Sequence, residues 1–302
     1  MDDSRRSSFS AARLSEKIVG LGLLGTALLT ISALIVIMAT LVVESASFFR
    51  EVSPLEFIFG TEWTALFADK KFGAVPLLVG TLLTSGVAIG LSATVGLGSA
   101  IYLSEYASPR VRAVIKPILE ILAGIPTVVY GYFAIYTITP LLKSSLFPDI
   151  SFYNALSAGL AMGVMIIPTV ASLSEDALYA VPETLRQAAY SLGARKIQVI
   201  FKVVVPAALS GIIASFILGL ARAVGETMIV AIAAGFSPVL TLNPLEAVQT
   251  MTSFIAQMAT GDFEQGGIEY QSIFAVGLYL FLMVMLLNLV GNLVVRKWGI
   301  KT

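Results

Sequence analysis

VPETLRQAAYSLGARKIQVIFKVVVP, residues 181–206, is the one long stretch of this chain that is neither apolar enough to span a bilayer nor disordered in composition. Helical spacing places Leu185, Ala188, Ala189 and Leu192 on one stripe, with Arg186 and Gln187 beside it. Gly193 breaks that pattern, as glycine does where a helix stops or where another chain's backbone comes close. A second amphipathic run, Ala194 to Val205, leads to Pro206 and back into apolar sequence. Two short helices joined by a glycine and held between membrane spans are either a docking element for a partner or a loop helix lying on the membrane surface. Spacing alone does not separate the two.

Composition sets the context for that stretch. The chain has 302 residues, of which 57% are hydrophobic and 13% charged, against roughly a quarter charged in a soluble protein. It is therefore expected to be an integral membrane protein. It contains no cysteine, which excludes disulfides, thiolate nucleophiles and Cys-ligated metal, and no histidine, the commonest general base and metal ligand. A net charge of zero suggests nothing about nucleic acid. Residues 1–17 are polar and arginine-containing and run into an apolar stretch too long for a signal-peptide core, so they are expected to be a retained cytoplasmic tail.

Apolar runs then divide residues 18–302 into a transmembrane domain with spans expected near 18–43, 72–104, 117–142, 150–174, 207–235 and 272–295, each long enough for a ~30 Å core at about 20 residues per crossing. Between the first two, Phe48, Phe49, Phe57, Phe59, Trp63 and Phe67 are expected at the headgroup level. Gly86 and Gly90, and Gly159 and Gly163, have the spacing of close helix contacts. Glu105 to Lys116 reads as a short basic turn. Gly124 and Pro126 interrupt the third span, which carries Glu120, and Pro168 is expected to bend the fourth. In the loop over 236–271, Leu245, Val248, Thr252, Ile255 and Met258 follow helical spacing, as a short helix that caps the bundle or touches an outside partner.

Orientation follows from basic residues. With the N-terminus inside, the cytoplasmic segments hold Arg5, Arg6, Arg13 and Lys17, then Arg110, Arg112 and Lys116, then Arg186, Arg195, Lys196 and Lys202, and last Arg296, Lys297 and Lys301. The other side holds only Arg50, Lys70, Lys71 and Lys143. Both termini and the loop over 175–206 are thus expected in the cytoplasm.

One pair of charges remains inside a span. Arg222 and Glu226 sit in the middle of the fifth, in ARAVGETM. An arginine at a helix centre costs about 2.5–3.5 kcal/mol on insertion scales, so its retention calls for a reason. Four residues apart on a continuous helix, the two side chains would meet on one face and neutralise each other. That makes either a structural ion pair or a polar station in a solute pathway, where arginine's planar fork suits an oxyanion such as phosphate or sulfate.

Two stretches resemble a known family. Gln187-Ala188-Ala189, Gly193, Val203 and Val205-Pro206 follow the spacing of the "EAA" loop of ABC importer permeases, with Gln187 in place of the glutamate and Glu183 one turn earlier as another source of that charge. Ala221 to Thr227 and Gly124 to Gly131 are similar to the "ARAxGET" and "GIPSVVYG" segments of permeases of phosphate-specific (Pst) importers. Glu62-Trp63, Phe72 to Leu78 and Gly80-Thr81-Leu82 resemble the PstC-type subunit more than the PstA-type. The resemblance implies an all-α permease of six spans in the bacterial inner membrane, pairing with a PstA-type subunit, two ATPase subunits and an outside phosphate-binding protein. It implies that Glu183, Gln187, Ala188, Ala189, Gly193 and Pro206 serve ATPase docking, and that Arg222 and Glu226 line the path of inorganic phosphate. Glu120 is added to that path from its own place in the third span. No cofactor is expected on this chain, ATP being hydrolysed by the partner.

Other classes fare worse. No Gly-x-x-x-x-Gly-Lys-Ser/Thr is present, so the chain lacks the loop that cradles nucleotide phosphates. A secondary transporter is expected to carry several intramembrane ionisable groups and inverted repeats, and a channel to carry a filter or charged ring. A permease for another oxyanion stays open, as does a secondary transporter.

Overall fold

A computed structural model describes residues 3–261 and 266–298, with side chains over 16–261 and 266–296. Asp262, Glu264 and Lys301, and the side chains of Arg5, Arg6, Arg13 and Lys297, lie outside the described residues. Among those described, the protein is helical apart from a single bridge between Trp63 and Phe72. Helix α1 (Asp3–Glu51) is followed by α2 (Pro54–Phe59), α3 (Val75–Ile101), α4 (Pro109–Gly124), α5 (Thr127–Phe133), α6 (Thr139–Ser145) and α7 (Ala155–Tyr179). Then come α8 (Glu183–Ser191), α9 (Lys196–Val199), α10 (Val205–Ala207), α11 (Leu209–Val224), α12 (Met228–Ala233), α13 (Met251–Thr260) and α14 (Ile268–Trp298). Helices α1, α3, α7 and α14 are each long and apolar enough to cross a membrane. The third expected span is a bent pair, at 89° between α4 and the helix ending at Ser145. A second bent pair, at 68°, joins Lys196–Ala207 to α11, so it starts inside the expected docking loop and ends at Val224, short of the expected 207–235; counting each pair as one crossing gives up to six.

The first bend is written in Gly124-Ile125-Pro126. A residue before proline is driven out of the helical region, and Ile125 is extended at φ −66°, ψ 131°. Pro126 is extended too and starts α5, its carbonyl accepting from Val129 N–H.

Helix α7 is the hub. Gly159 and Gly163 let α3 lie so close that an added Cβ would stand 2.6 Å from Val87 and 2.9 Å from Leu91. Met162, Met165, Ile166 and Val170 are fully buried against α3, α11 and α12, and α7 runs unbroken through Pro168. Among the described residues Gly86 and Gly90 do not make the expected contact; both are exposed with nothing there within 4 Å of an added Cβ. The span also ends later than expected, at Tyr179, because its polar residues find partners inside the bundle: Ser174 Oγ lies 2.7 Å from Ser215 Oγ, and Glu175 is ion-paired. Helix α1, whose most apolar window has no buried residue, presents that surface outward, as suits a lipid solvent.

Of the first-loop aromatics expected at the headgroup level, Phe59 and Phe67 are exposed, Phe49 is half-buried, and the others are interior. Phe48, Phe57, Trp63 and Phe72 are buried with Met251, Phe254 and Met258 in a second core, where ring pairs meet edge-to-face, Trp63 and Phe254 at 4.8 Å between centroids. Residues 54–74 fold back over the end of α1, and Gly60 and Gly73 cross so tightly that a Cβ on Gly73 would lie 2.3 Å from the Gly60 carbonyl carbon. The short helix of the 236–271 loop is likewise interior: α13 starts at Met251 on a Thr250–Ser253 capping box, buries Phe254 and Met258, and leaves Leu245 in a turn and Val248 in the irregular chain before it.

Candidate functional site

The fifth span ends where the charge pair was expected to form. Helix α11 stops at Val224, Gly225 caps it, and α12 restarts at Met228. Arg222 and Glu226 therefore do not share a helix face, and among the described residues they form no ion pair. The Glu226 carboxylate instead accepts from the backbone N–H of Met228 at 3.0 Å and Ile229 at 3.2 Å. Free N–H groups at a helix start need an acceptor, and an anionic oxygen there is further stabilised by the helix dipole. Thr252 of α13 donates to the Glu226 carbonyl at 2.6 Å and fixes the break to the second core.

Arg222 is left open. Its Nη1 donates to Thr169 Oγ1 of α7 at 3.0 Å, the one hydrogen bond it makes among the described residues, and the side chain is exposed. A guanidinium offers five N–H donors, so most of its capacity is unspent, and no carboxylate neutralises it.

Thr169 also lines a cavity of about 330 Å³ between α4 and α7, together with Lys116, Leu119, Glu120, Ala123, Pro168, Ser172, Glu175 and Asp176. The structure thus brings Glu120 and the Arg222–Thr169 contact to one hollow. Glu120 is exposed and makes no hydrogen bond or ion pair among the described residues.

Sequence reasoning missed Glu175. With its side chain 2% exposed, it holds Arg112 Nη2 at 2.6 Å and has Lys116 Nζ at 3.1 Å. Arg112 and Lys116, read as a turn, stand four residues apart on α4, and Arg112 also lies over the Tyr179 ring at 5.0 Å. The legible signal was the cation pair at helical spacing opposite the first acid after an apolar run.

The loop of residues 180–208 is two short helices and a glycine, as expected. Gly193 has φ +79°, the left-handed conformation only glycine adopts without strain, and Ala194 N–H returns to the Ala189 carbonyl at 3.2 Å. Of the expected docking residues, Ala189 packs inward on Val199 and Val204, whereas Glu183, Gln187, Ala188, Gly193 and Pro206 are exposed, as is Leu192 at 90%. A wider helical turn, closed by i to i−5 bonds, precedes Pro206, with Val205 N–H reaching the Ile200 carbonyl. Glu183 Oε2 lies 3.7 Å from Arg186 Nη1, so its charge is partly committed. Arg186, beside the stripe, is the fastener. It donates to the carbonyls of Leu178, at 2.8 Å, and Val181, and it pairs with Glu105 at 3.1 Å. Both charged side chains are nearly buried, at 11% and 8% exposure. The arginine thus ties α8 to the ends of both α3 and α7. No cluster of three acids suited to a metal ion occurs among the described residues.

Residues 86–299 match the family described as binding-protein-dependent transport system inner membrane component. The chain is 34% identical over 260 residues to a "Probable ABC transporter permease protein" of Bacillus subtilis, covering 85% of this chain and 83% of the relative. It is 30% identical over 289 residues, 90% of each, to the "Phosphate transport system permease protein PstC" of Haemophilus influenzae. Among solved structures it resembles a chain of a bacterial ABC transporter that imports alginate, with TM-score 0.63 at 15% identity over 94% of this chain and 99% of that one. It also resembles the methionine ABC transporter in an inward-facing conformation, with TM-score 0.58 at 19% identity over 73% of this chain and 94% of that one.

Proposed function

We propose that this chain, which belongs to the family of binding-protein-dependent transport system inner membrane components, is the PstC-type permease subunit of an ATP-driven importer of inorganic phosphate. Family membership supports ATP drive over a secondary transporter, and the names of several relatives at about 30% identity support phosphate. The observation that carries the reading is Arg222: an exposed guanidinium bonded to Thr169 of the cavity wall, held by that one neutral hydroxyl and not cancelled by Glu226. A tetrahedral oxyanion can take two of its remaining N–H groups at once. Glu226 keeps the site in shape by capping α12, and Thr169 orients the arginine.

The proposed assembly adds a PstA-type subunit, an ATPase pair on the cytoplasmic face and a phosphate-binding protein on the other, with this chain in the inner membrane and both termini inside. The exposed face of α8 meets the ATPase, with Gln187 and Ala188 at the contact. ATP binding moves α8, and Arg186 carries the motion into α3 and α7. The states interconvert only as far as ATP binds them with different affinity. This chain hydrolyses nothing itself.

The test is radiolabelled phosphate uptake in cells lacking their own PstC-type subunit, with this chain supplied and excess sulfate and molybdate as competitors. Restored uptake that ignores the competitors and is lost in Arg222→Ala supports the reading. Normal membrane levels with no restored phosphate uptake refute it in favour of another oxyanion.

A further inference from the structure

Helix α4 is attached to the bundle in an unusual way. None of its residues is buried. It touches α7 along a half-buried stripe, Arg112, Ile115, Lys116, Leu119 and Leu122, yet the 330 Å³ cavity separates the two helices over much of that length. Both its ends are extended backbone: Ala107 and Ser108 before it, with ψ 132° and 157°, and Ile125 after it, with ψ 131°. A rigid bar between two extended hinges, over a void, is the construction of a movable element.

One polar fastening closes it. Glu175 takes Arg112 on one oxygen and has Lys116 beside the other. Arg112 Nε is buried without a hydrogen-bond partner among the described residues, so the fastening rests on one short Arg112 contact and the Lys116 charge 3.1 Å from the other oxygen. Its position matters as well. Glu175 lies six residues beyond Thr169 on α7, about 9 Å at 1.5 Å per residue, so the Arg222 contact and the ion pair stand at opposite ends of one cavity. One turn past Glu175, the Leu178 and Val181 carbonyls hold Arg186 of α8.

We infer that Glu175 is a positioning residue for transport, an ionic latch that holds α4 shut over the docking-loop end of the cavity and is released when α8 moves the last turn of α7. The carboxylate makes no contact with the solute. It sets whether the hollow beyond Arg222 is open. This rests on the transport reading but not on phosphate being the cargo.

The chain's lack of cysteine permits a direct test on the purified transporter with its partner subunits in nanodiscs. A lone thiol at Ala123→Cys, on the cavity wall, is labelled with a charged maleimide in the absence of nucleotide. Glu175→Gln should raise the labelling rate about tenfold, within the range of coupling between sites, and let ATP hydrolysis run without the binding protein. Glu175→Asp should restore slow labelling. Unchanged labelling in Glu175→Gln overturns the latch. If that variant does not assemble, the wild-type background decides: a bis-maleimide joining Leu119→Cys to Ser172→Cys across the cavity should stop binding-protein-stimulated ATP hydrolysis. Cross-linked protein with full activity shows that the gap never changes and overturns the gate. Phosphate plays no part in these readouts. Wild-type protein that imports no phosphate yet shows the Glu175→Gln effect refutes the cargo and keeps the latch.

Discussion

Replacing Arg186 with methionine keeps most of the side chain's length and removes its charge. The substitution leaves Glu105, 8% exposed, without its counter-ion, and leaves the Leu178 and Val181 carbonyls without a donor. Breaking one partner of a buried pair costs about 3–5 kcal/mol. Ser104 Oγ, 3.3 Å from Glu105 Oε1, remains as a weak donor, which favours the lower end. Glu105→Gln removes less, because its amide oxygen can still accept from the arginine, and should cost about 1–2 kcal/mol. The two changes share a contact, so the double variant should fall short of the sum by about 1–3 kcal/mol. Because Arg186 is the link between α8 and the ends of α3 and α7, stability is only half of the prediction. Arg186→Met should still co-purify with its ATPase through the exposed α8 face, but hydrolysis should no longer drive uptake. The assay is thermal unfolding in detergent alongside uptake and ATP hydrolysis on the same preparation. Additive stabilities, or full coupling in Arg186→Met, would refute the reasoning.

Arg222→Ala and Glu226→Ala should have additive effects on thermal stability, within ~0.5 kcal/mol, because they share no partner; coupling above 1 kcal/mol in a double-mutant cycle would restore the ion pair. Trp63→Ala empties a site walled by Phe57, Phe72 and Phe254 and should cost about 3–5 kcal/mol, read as faster proteolysis of the 54–74 segment. Gly73→Ala should cost about 1–3 kcal/mol on the same assay, toward the upper end because the obstructing atoms are backbone. Hydrogen bonds from Thr241 and then Asn243 hold the exposed Glu246 carboxyl below its ordinary value. Its small contribution to the 241–246 loop is therefore present above about pH 4.3, the unfolded value, and lost as pH falls through the folded one. Glu246→Gln should remove that acid dependence of loop proteolysis.

How much of this was legible in the sequence follows a physical line. Apolar length and the positions of Pro126 and Gly193 are local properties, so the apolar runs, the first break and the glycine between the loop helices could be read directly. What could not be read depends on partners distant in the chain. Phe48, Phe57 and Trp63 look like interface aromatics until α13 and α14 cover them. Glu175 looks like the first residue of a loop until α4 brings Arg112 and Lys116 to it. Gly86-xxx-Gly90 and Gly159-xxx-Gly163 have identical spacing, yet among the described residues only the second pair meets another helix.

The same distinction explains the charge pair. Four-residue spacing implies contact only while the helix continues, and Gly225 marks the place where it stops. Once the helix breaks, each charge meets a different electrostatic environment. The arginine sits in the last turn of α11, where a cation is stabilised by the helix's C-terminal dipole, and the glutamate heads α12, where an anion is stabilised by free N–H groups. Neither needs the other to tolerate an apolar setting. A continuous helix would have closed the pair into a neutral unit with nothing to offer a solute. The break therefore leaves an open guanidinium where a continuous helix would have held a salt bridge, and the anion-conducting role proposed for Arg222 depends on Gly225 and the Glu226 cap as much as on the arginine itself.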